Sequence, residues 1–349
     1  MKAIVYRGKN DLRLEEVPVP EIQAGEVLVK IDTCGICGTD LKKIKEGLVS
    51  APRIFGHEMA GTITQIGTGV TGWKEGERVA VYHHIPCENC YYCSVKAFSM
   101  CEKYKVTGTT AGFEPSGGGF AEYIRVMDWI VEKGMVRLPE EVSYEMASFL
   151  EPVNTCLKCI RTARVKPGEI VLITGQGPIG LLLTQIAKLH GATVIATDFI
   201  ETRLQKSRQL GADVTLKADD PGIQSTIKSL TEGRGVDLAI VATANSQVVN
   251  FAMESVRFAG RVMLFAQTHL GDISPIDLGM VCAHEKEILG SYSSSVELNH
   301  EVEEMVFSRK LDVESLISHQ FPLDGFDKAI DLALHPSDTS LKILINMRD

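Results

Sequence analysis

The 349-residue chain contains no run approaching the roughly 18 to 20 uninterrupted apolar residues that a membrane-crossing helix requires. Its longest apolar stretches are interrupted by Gly, Lys or Asp, which excludes a helical membrane span. It also lacks long runs of cations: the 36 Lys and Arg residues are dispersed, adjacent only at Lys42-Lys43 and Arg309-Lys310, within a formal net charge of -9. Affinity for a polyanion comes from grouped positive charge, so nucleic acid is excluded as a partner. The opening MKAIVYRGKN has no apolar export region, which predicts a cytoplasmic protein with reduced thiols. There is no internal repeat and no low-complexity tract. At 44% hydrophobic residues, the chain is too long for one ordinary core and has apolar content for two domains.

What the chain does have is cysteine in a telling arrangement. Cys87, Cys90, Cys93 and Cys101 form a CxxCxxCx7C lobe over 84–103. Two-residue spacers let a tight loop present neighbouring sulfurs to one ion, and the longer spacer lets the fourth return, so the pattern reads as a closed tetrahedral zinc site. Four unpaired structural thiols are the competing reading, and a pair of disulfides is disfavoured in a reducing compartment.

The periodicity changes character near residue 145. Before it, alternating segments such as 26–31 and 60–66, separated by Gly-rich turns, predict short strands of a barrel or sandwich. Beyond it, the short apolar runs 170–174, 193–197, 236–242 and 261–266 alternate with amphipathic stretches of helical length, which predicts a parallel βα layout. The runs 288–292 and 341–346 read as strands flanking a helix over 296–308, with the tail rejoining the first domain. The expected organisation is 1–148 with 287–349, interrupted by 149–286.

Within the second region the strand 170–174 runs into Gly175-Gln176-Gly177-Pro178-Ile179-Gly180 and a helix over 181–190, followed by a second strand ending in Asp198. A bare GxGxxG is weak, but this context fits a dinucleotide fingerprint: a tight turn at Gly175, backbone access to pyrophosphate at Gly177 and close helix packing at Gly180. Asp198 would accept the adenosine ribose hydroxyls and repel a 2'-phosphate, which favours NAD over NADP, while nearby Arg203 leaves an opening for phosphate. Pro178, Ile179 and Thr155 complete the expected cofactor contacts.

In the first region Cys37-Gly38-Thr39-Asp40 precedes Gly56-His57-Glu58. A thiolate and an imidazole suit zinc, although Cys34, Cys37 and His57 also read as ordinary core residues. A catalytic zinc needs three protein ligands and an open position, and Glu151, in Leu150-Glu151-Pro152 at the junction of the two regions, is the third candidate. It also reads as a helix-capping acid. Cys156 and Cys159 make a second CxxC on a predicted helix and read as core thiols. His83 and His84 read as structural groups or as cleft lining.

With these motifs in order and spacing along essentially its whole length, the chain resembles the zinc-dependent medium-chain dehydrogenases, the alcohol, polyol and threonine dehydrogenase superfamily. The resemblance implies a mainly β GroES-like barrel catalytic domain joined to a doubly wound Rossmann domain. It implies two zinc ions per chain. Cys37, His57 and either Glu58 or Glu151 would hold the catalytic one, and Cys87, Cys90, Cys93 and Cys101 the structural one. Glu58 would be a direct ligand or a carboxylate assisting ligand exchange. Where ethanol-type members carry cysteine, this chain has Glu151-Pro152 as polyol-type members do, which implies a polyol, cyclitol or sugar-derived secondary alcohol, with threonine or amino-sugar oxidation as the alternative. Thr39 would be the first proton relay and Asp40 an orienting carboxylate. The histidine many relatives carry two residues after that Asp is Lys42 here, a solvated group, a proton shuttle or a contact for an acidic substrate. Pocket walls would come from 45–49, 104–113 and 267–270. A homodimer or homotetramer is implied, and a non-catalytic NAD-binding scaffold is the remote alternative.

Overall fold

The computed structural model describes residues 1–104, 106–114, 116–266 and 271–347. The pocket-wall segment 267–270 lies outside the described residues. The chain forms two compact units, one of Met1–Pro152 with Ser294–Asp349 and one of Val153–Ser293.

In the first unit the strands are β1 (Lys2–Gly8), β2 (Asp11–Glu16), β3 (Val27–Gly35), β4 (Arg53–Ile54), β5 (Glu58–Ile66), β6 (Arg78–Tyr82), β7 (Tyr123–Val126) and β8 (Met135–Arg137). In the second they are β9 (Ile170–Thr174), β10 (Thr193–Asp198), β11 (Val214–Lys217), β12 (Val236–Val241), β13 (Val256–Leu264) and β14 (Glu287–Gly290). The chain then returns to the first unit with β15 (Ile317–Pro322) and β16 (Lys342–Asn346).

The first unit holds a small sheet ordered β2-β1-β4 and a larger one ordered β15-β16-β3-β5-β6-β8, with β7 also paired to β3. β3 is the hub because it takes three partners: β5 along its length, β7 beside 27–30 and β16 beside 33–35. Its sequence VLVKIDTCG buries all but Lys30 and Asp32, as a strand covered on both faces requires. That β16, which follows the whole second unit in sequence, hydrogen-bonds to β3 bears on the site described below.

The second unit is a six-stranded sheet ordered β11-β10-β9-β12-β13-β14, with every neighbouring pair parallel. Four of the five residues of β9, Ile-Val-Leu-Ile-Thr, are buried, the continuous burial expected of a central parallel strand. Leu172, Ile195, Val236, Ala239 and Val262 are among the side chains forming the core, packed with Ala252 and Met253 of the helix Gln247–Ser255.

Two local expectations shift. The helix after β9 starts at Pro178 rather than 181, because proline fixes φ and needs no N–H partner in the first helical turn. β14 pairs with β13, so it belongs to the parallel sheet and the returning segment begins at 294 rather than 287. A short exposed outer strand gives no burial signal that would assign it to either unit. Among the described residues no helix is long and apolar enough to cross a membrane.

Candidate active site and metal centres

The helix Gly38–Glu46 begins on Cys37, whose sulfur accepts the Thr39 N–H at 3.5 Å and so caps the helix. Thr39 is therefore held beside the thiol, and Asp40 is buried in the first turn. Lys42 lies farther along the same helix, half-buried. From the opposite side Gly56 turns the chain with φ +93°, and a Cβ there would lie 2.8 Å from the Phe120 backbone nitrogen. Only glycine fits that turn, and it delivers His57 and then Glu58, the first residue of β5.

The two loops converge. A sulfur from Cys37, a ring nitrogen from His57 and a carboxylate oxygen from Glu58 all lie within 4.8 Å of one another. Thiolate, imidazole and carboxylate are the donors zinc prefers, and three of them on one side leave room for a fourth ligand. Asp40 Oδ2 lies 3.2 Å from His57 Nδ1, which fixes the ring and leaves Nε2 for a metal. Burial opposes charge on both partners. The pairing overrides it, holding His57 well above the ordinary imidazole range and Asp40 below the ordinary carboxylate range.

Glu151 is buried in the first turn of the helix Leu150–Thr162 and lines a small cavity with His57, Met59, Ala80, Tyr82 and Leu150. It stands next to the donor set and is not one of the three converging groups. Burial, with Glu58 and Asp40 adding like charge against the opposing pull of His57 and Lys342, raises its carboxyl to about 7.

Sequence reasoning did not find Lys342. This residue opens β16 and is buried, and its ammonium pairs with Glu58 Oε2 across 284 positions of sequence. The available signal was a single lysine at the head of the otherwise apolar closing strand Lys342-Ile343-Leu344-Ile345.

The four-cysteine lobe also converges, with the sulfurs of Cys87, Cys90, Cys93 and Cys101 mutually within 4.8 Å. Cys90 caps the short helix Tyr91–Ser94, and Glu88 and Lys96 adopt left-handed backbone to turn the loop around the sulfurs. Backbone amides of Glu102 and Cys93 lower the Cys90 thiol to about 6, while burial raises Cys93 to about 12. Such a cluster binds an ion with release of protons. Tyr104 packs on Cys93 and Cys101, and a chain of edge-on and tilted ring contacts runs from it through His84 (3.5 Å between centroids) and His83 (3.6 Å) to His57 (4.9 Å). The two histidines thus bridge the metal lobe and the His57 donor set. Cys34, Cys156 and Cys159 are fully buried.

In the second unit Gly175 has φ +86°, and a Cβ on Gly180 would lie 1.8 Å from the Gly175 carbonyl oxygen. Helix and turn therefore touch backbone to backbone, which excludes even alanine at 180. Gly177 and Pro178 form the helix start, with Ile179 in its first turn. Asp198 ends β10 and accepts from the N–H groups of Gln176 (2.6 Å) and Ile200 (2.9 Å). It holds the glycine turn in shape, and a carboxylate has lone pairs left for further donors. Buried Gln176, absent from the sequence expectations, accepts from Thr184 and Ser207 and locks the turn to two helices. Arg203 lies on the helix Glu201–Gln209, and Thr155, half-buried, on Leu150–Thr162.

The chain matches the family Alcohol dehydrogenase GroES-like domain over residues 23–140. It matches Zinc-binding dehydrogenase over residues 178–309. It is 30% identical to a sorbitol dehydrogenase of Bacillus subtilis (strain 168), covering 99% of this chain and 97% of that one. A zinc-binding dehydrogenase from Sinorhizobium meliloti 1021, solved with NADP, superposes with a TM-score of 0.89 at 26% identity, covering 99% of this chain and 98% of that one. An alcohol dehydrogenase from E. coli CFT073, solved with NADH, superposes at 0.88 with 29% identity over 99% of each chain. Full-length similarity in sequence and fold, with thiolate, imidazole and carboxylate donors gathered as zinc requires, places this chain in the zinc-dependent medium-chain alcohol dehydrogenase family, oxidoreductases of CH–OH groups.

Proposed function

We propose that this protein oxidises a polyol, cyclitol or sugar-derived secondary alcohol to the ketone with NAD as hydride acceptor. The observation that carries the reading is the convergence of Cys37, His57 and Glu58 within 4.8 Å, with Asp40 bracing the imidazole. In this reading those three residues hold the catalytic zinc, and Cys87, Cys90, Cys93 and Cys101 hold a structural one. Zinc held there supplies Lewis acidity that lowers the pKa of a hydroxyl. Thr39 stands beside the Cys37 sulfur, where its hydroxyl can accept and hand on the substrate proton. Asp40 keeps His57 in one tautomer. In this reading the buried Glu151 carboxyl, which faces the small cavity beside His57, is a polar group available to a substrate hydroxyl at the metal. Lys42 marks the outer end of the proton path.

In the other unit the Gly175 to Gly180 turn cradles pyrophosphate, and Asp198 favours the ribose diol of NAD. Because the two similar solved structures carry NADP and NADH respectively, the cofactor is tested directly. The zinc-loaded protein is assayed for NAD and NADP reduction against polyols, cyclitols, threonine and simple secondary alcohols. Turnover of a polyol or cyclitol with NAD at least about tenfold above NADP is expected. Threonine alone as substrate, or NADP preference, would overturn the respective part.

We also place the protein in the cytoplasm, where its nine cysteines, all free, stay reduced. It assembles as a homodimer or homotetramer. β14 is an outer strand of the parallel sheet, with Phe258, Leu278 and Ile288 exposed in the same unit, and an open edge of this kind invites pairing. Light scattering is expected to give a multiple of the 38.2 kDa chain mass. A monomer mass sinks this assignment.

A further inference from the structure

The Lys342 ammonium lies among the donors and is not one of them. It pairs with Oε2 of Glu58 and donates to the Ile36 carbonyl at 3.2 Å, with the Phe149 ring centroid 6.0 Å away. The pair depends on glycine at 35: a Cβ there would lie 2.1 Å from Glu58 Oε2 and 2.7 Å from Lys342 Cε. Both side-chain ends therefore lie directly over the Gly35 backbone, in space that a larger residue would take.

A carboxylate next to a metal can give one oxygen or two. Sharing Oε2 with the Lys342 ammonium makes it the weaker donor and leaves Oε1 as the stronger one for the ion. We infer that Lys342 is a positioning residue that restricts Glu58 to single-oxygen ligation and thereby keeps a coordination position open for substrate. This rests on Glu58 being a metal donor, as proposed above. Lysine suits the task because its ammonium is a compact point charge that engages one oxygen, whereas a guanidinium fork takes both oxygens of a carboxylate.

The two replacements should therefore err in opposite directions. Lys342→Met releases Oε2, so Glu58 closes on the ion with both oxygens, the metal binds more tightly and turnover falls. Lys342→Arg draws both oxygens away, so the metal binds more weakly. Changes of about tenfold in each direction are the scale set by groups that hold metal ligands.

The experiment replaces the catalytic ion with Co(II) and reads its visible d–d bands and dissociation constant in wild type, Lys342→Met, Lys342→Arg and each variant combined with Glu58→Gln. Melting curves are taken in parallel. Lys342→Arg keeps the buried charge, so its result stands even if Lys342→Met fails to fold. The expected result is weakened bands and tighter binding for methionine, looser binding for arginine, and loss of both effects once Glu58 is glutamine. Unchanged spectra and affinities in both variants, or the same changes in the Glu58→Gln background, would overturn the inference while leaving the metal site intact. Absence of the thiolate-to-cobalt charge-transfer band in wild type would instead overturn the metal reading beneath it.

Discussion

Replacing Cys37 by alanine is expected to lower the zinc content from two ions per chain to one and to cut NAD-linked alcohol oxidation by at least about 10³-fold. The metal loss follows from the donor count. Cys37, His57 and Glu58 are the three groups that converge, and removing the thiolate leaves an imidazole and a carboxylate already shared with Lys342. The rate loss follows from the chemistry. Lewis-acid stabilisation of developing negative charge is worth several kcal/mol, and each 1.4 kcal/mol or so of barrier is a factor of ten. The fold should survive, because Cys37 lies at a helix start and is only partly buried. Metal analysis by mass spectrometry and the initial rate on the best alcohol decide it. Two ions retained, with a rate within tenfold of wild type, would remove Cys37 from the catalytic set.

The second large effect is structural. Cys93→Ala should release the other ion, open the loop around 87–104 to proteases and lower the melting temperature by roughly 10 °C. Cys93 is buried against Cys101 and Tyr104, and the lobe's small core is these sulfurs with Tyr104 and Phe98. Apart from the Lys96–Glu297 and Lys133–Glu88 ion pairs and the Tyr104–Ser294 hydrogen bond, a segment with so little apolar surface depends on the ion, so ion binding and loop folding are coupled there. Three remaining thiols cannot complete a tetrahedral site, and the buried ones would be left as awkward polar groups. Unchanged melting with two ions bound would show that the lobe folds without metal.

What could be read from the sequence follows the distance over which each signal acts. The four-cysteine cluster was legible because its thiols lie within one short loop, and the glycine turn because β9, the turn, the helix and β10 are consecutive. Cys37 and His57 could be paired by donor type, although the helix Gly38–Glu46 and β4 separate them, whereas Glu58 as a third donor needed the family resemblance. Three things stayed hidden. Lys342 is an isolated lysine whose partner comes 284 positions earlier, and no pattern of spacing reports such a pair. The relation of Glu58 to Glu151 depends on the angle between β5 and the helix Leu150–Thr162, which propensity does not encode. Gln176 looked like a spacer between glycines, yet its amide fastens the turn to two helices.

The interruption of the first unit by the second also sets an order of events at the ribosome. Residues 153–293 emerge as one continuous stretch and hold every strand of their own sheet, so that unit can fold as soon as it clears the exit tunnel. The earlier residues cannot finish. The place in their sheet between β3 and β15 belongs to β16, synthesised after the whole second unit, and until it arrives Glu58 lacks its counter-charge. Biosynthesis thus reverses the usual sequence in which the amino-terminal part folds first. A nascent chain stalled where residue 293 has cleared the tunnel and β16 has not should carry a protease-resistant middle and a protease-sensitive beginning.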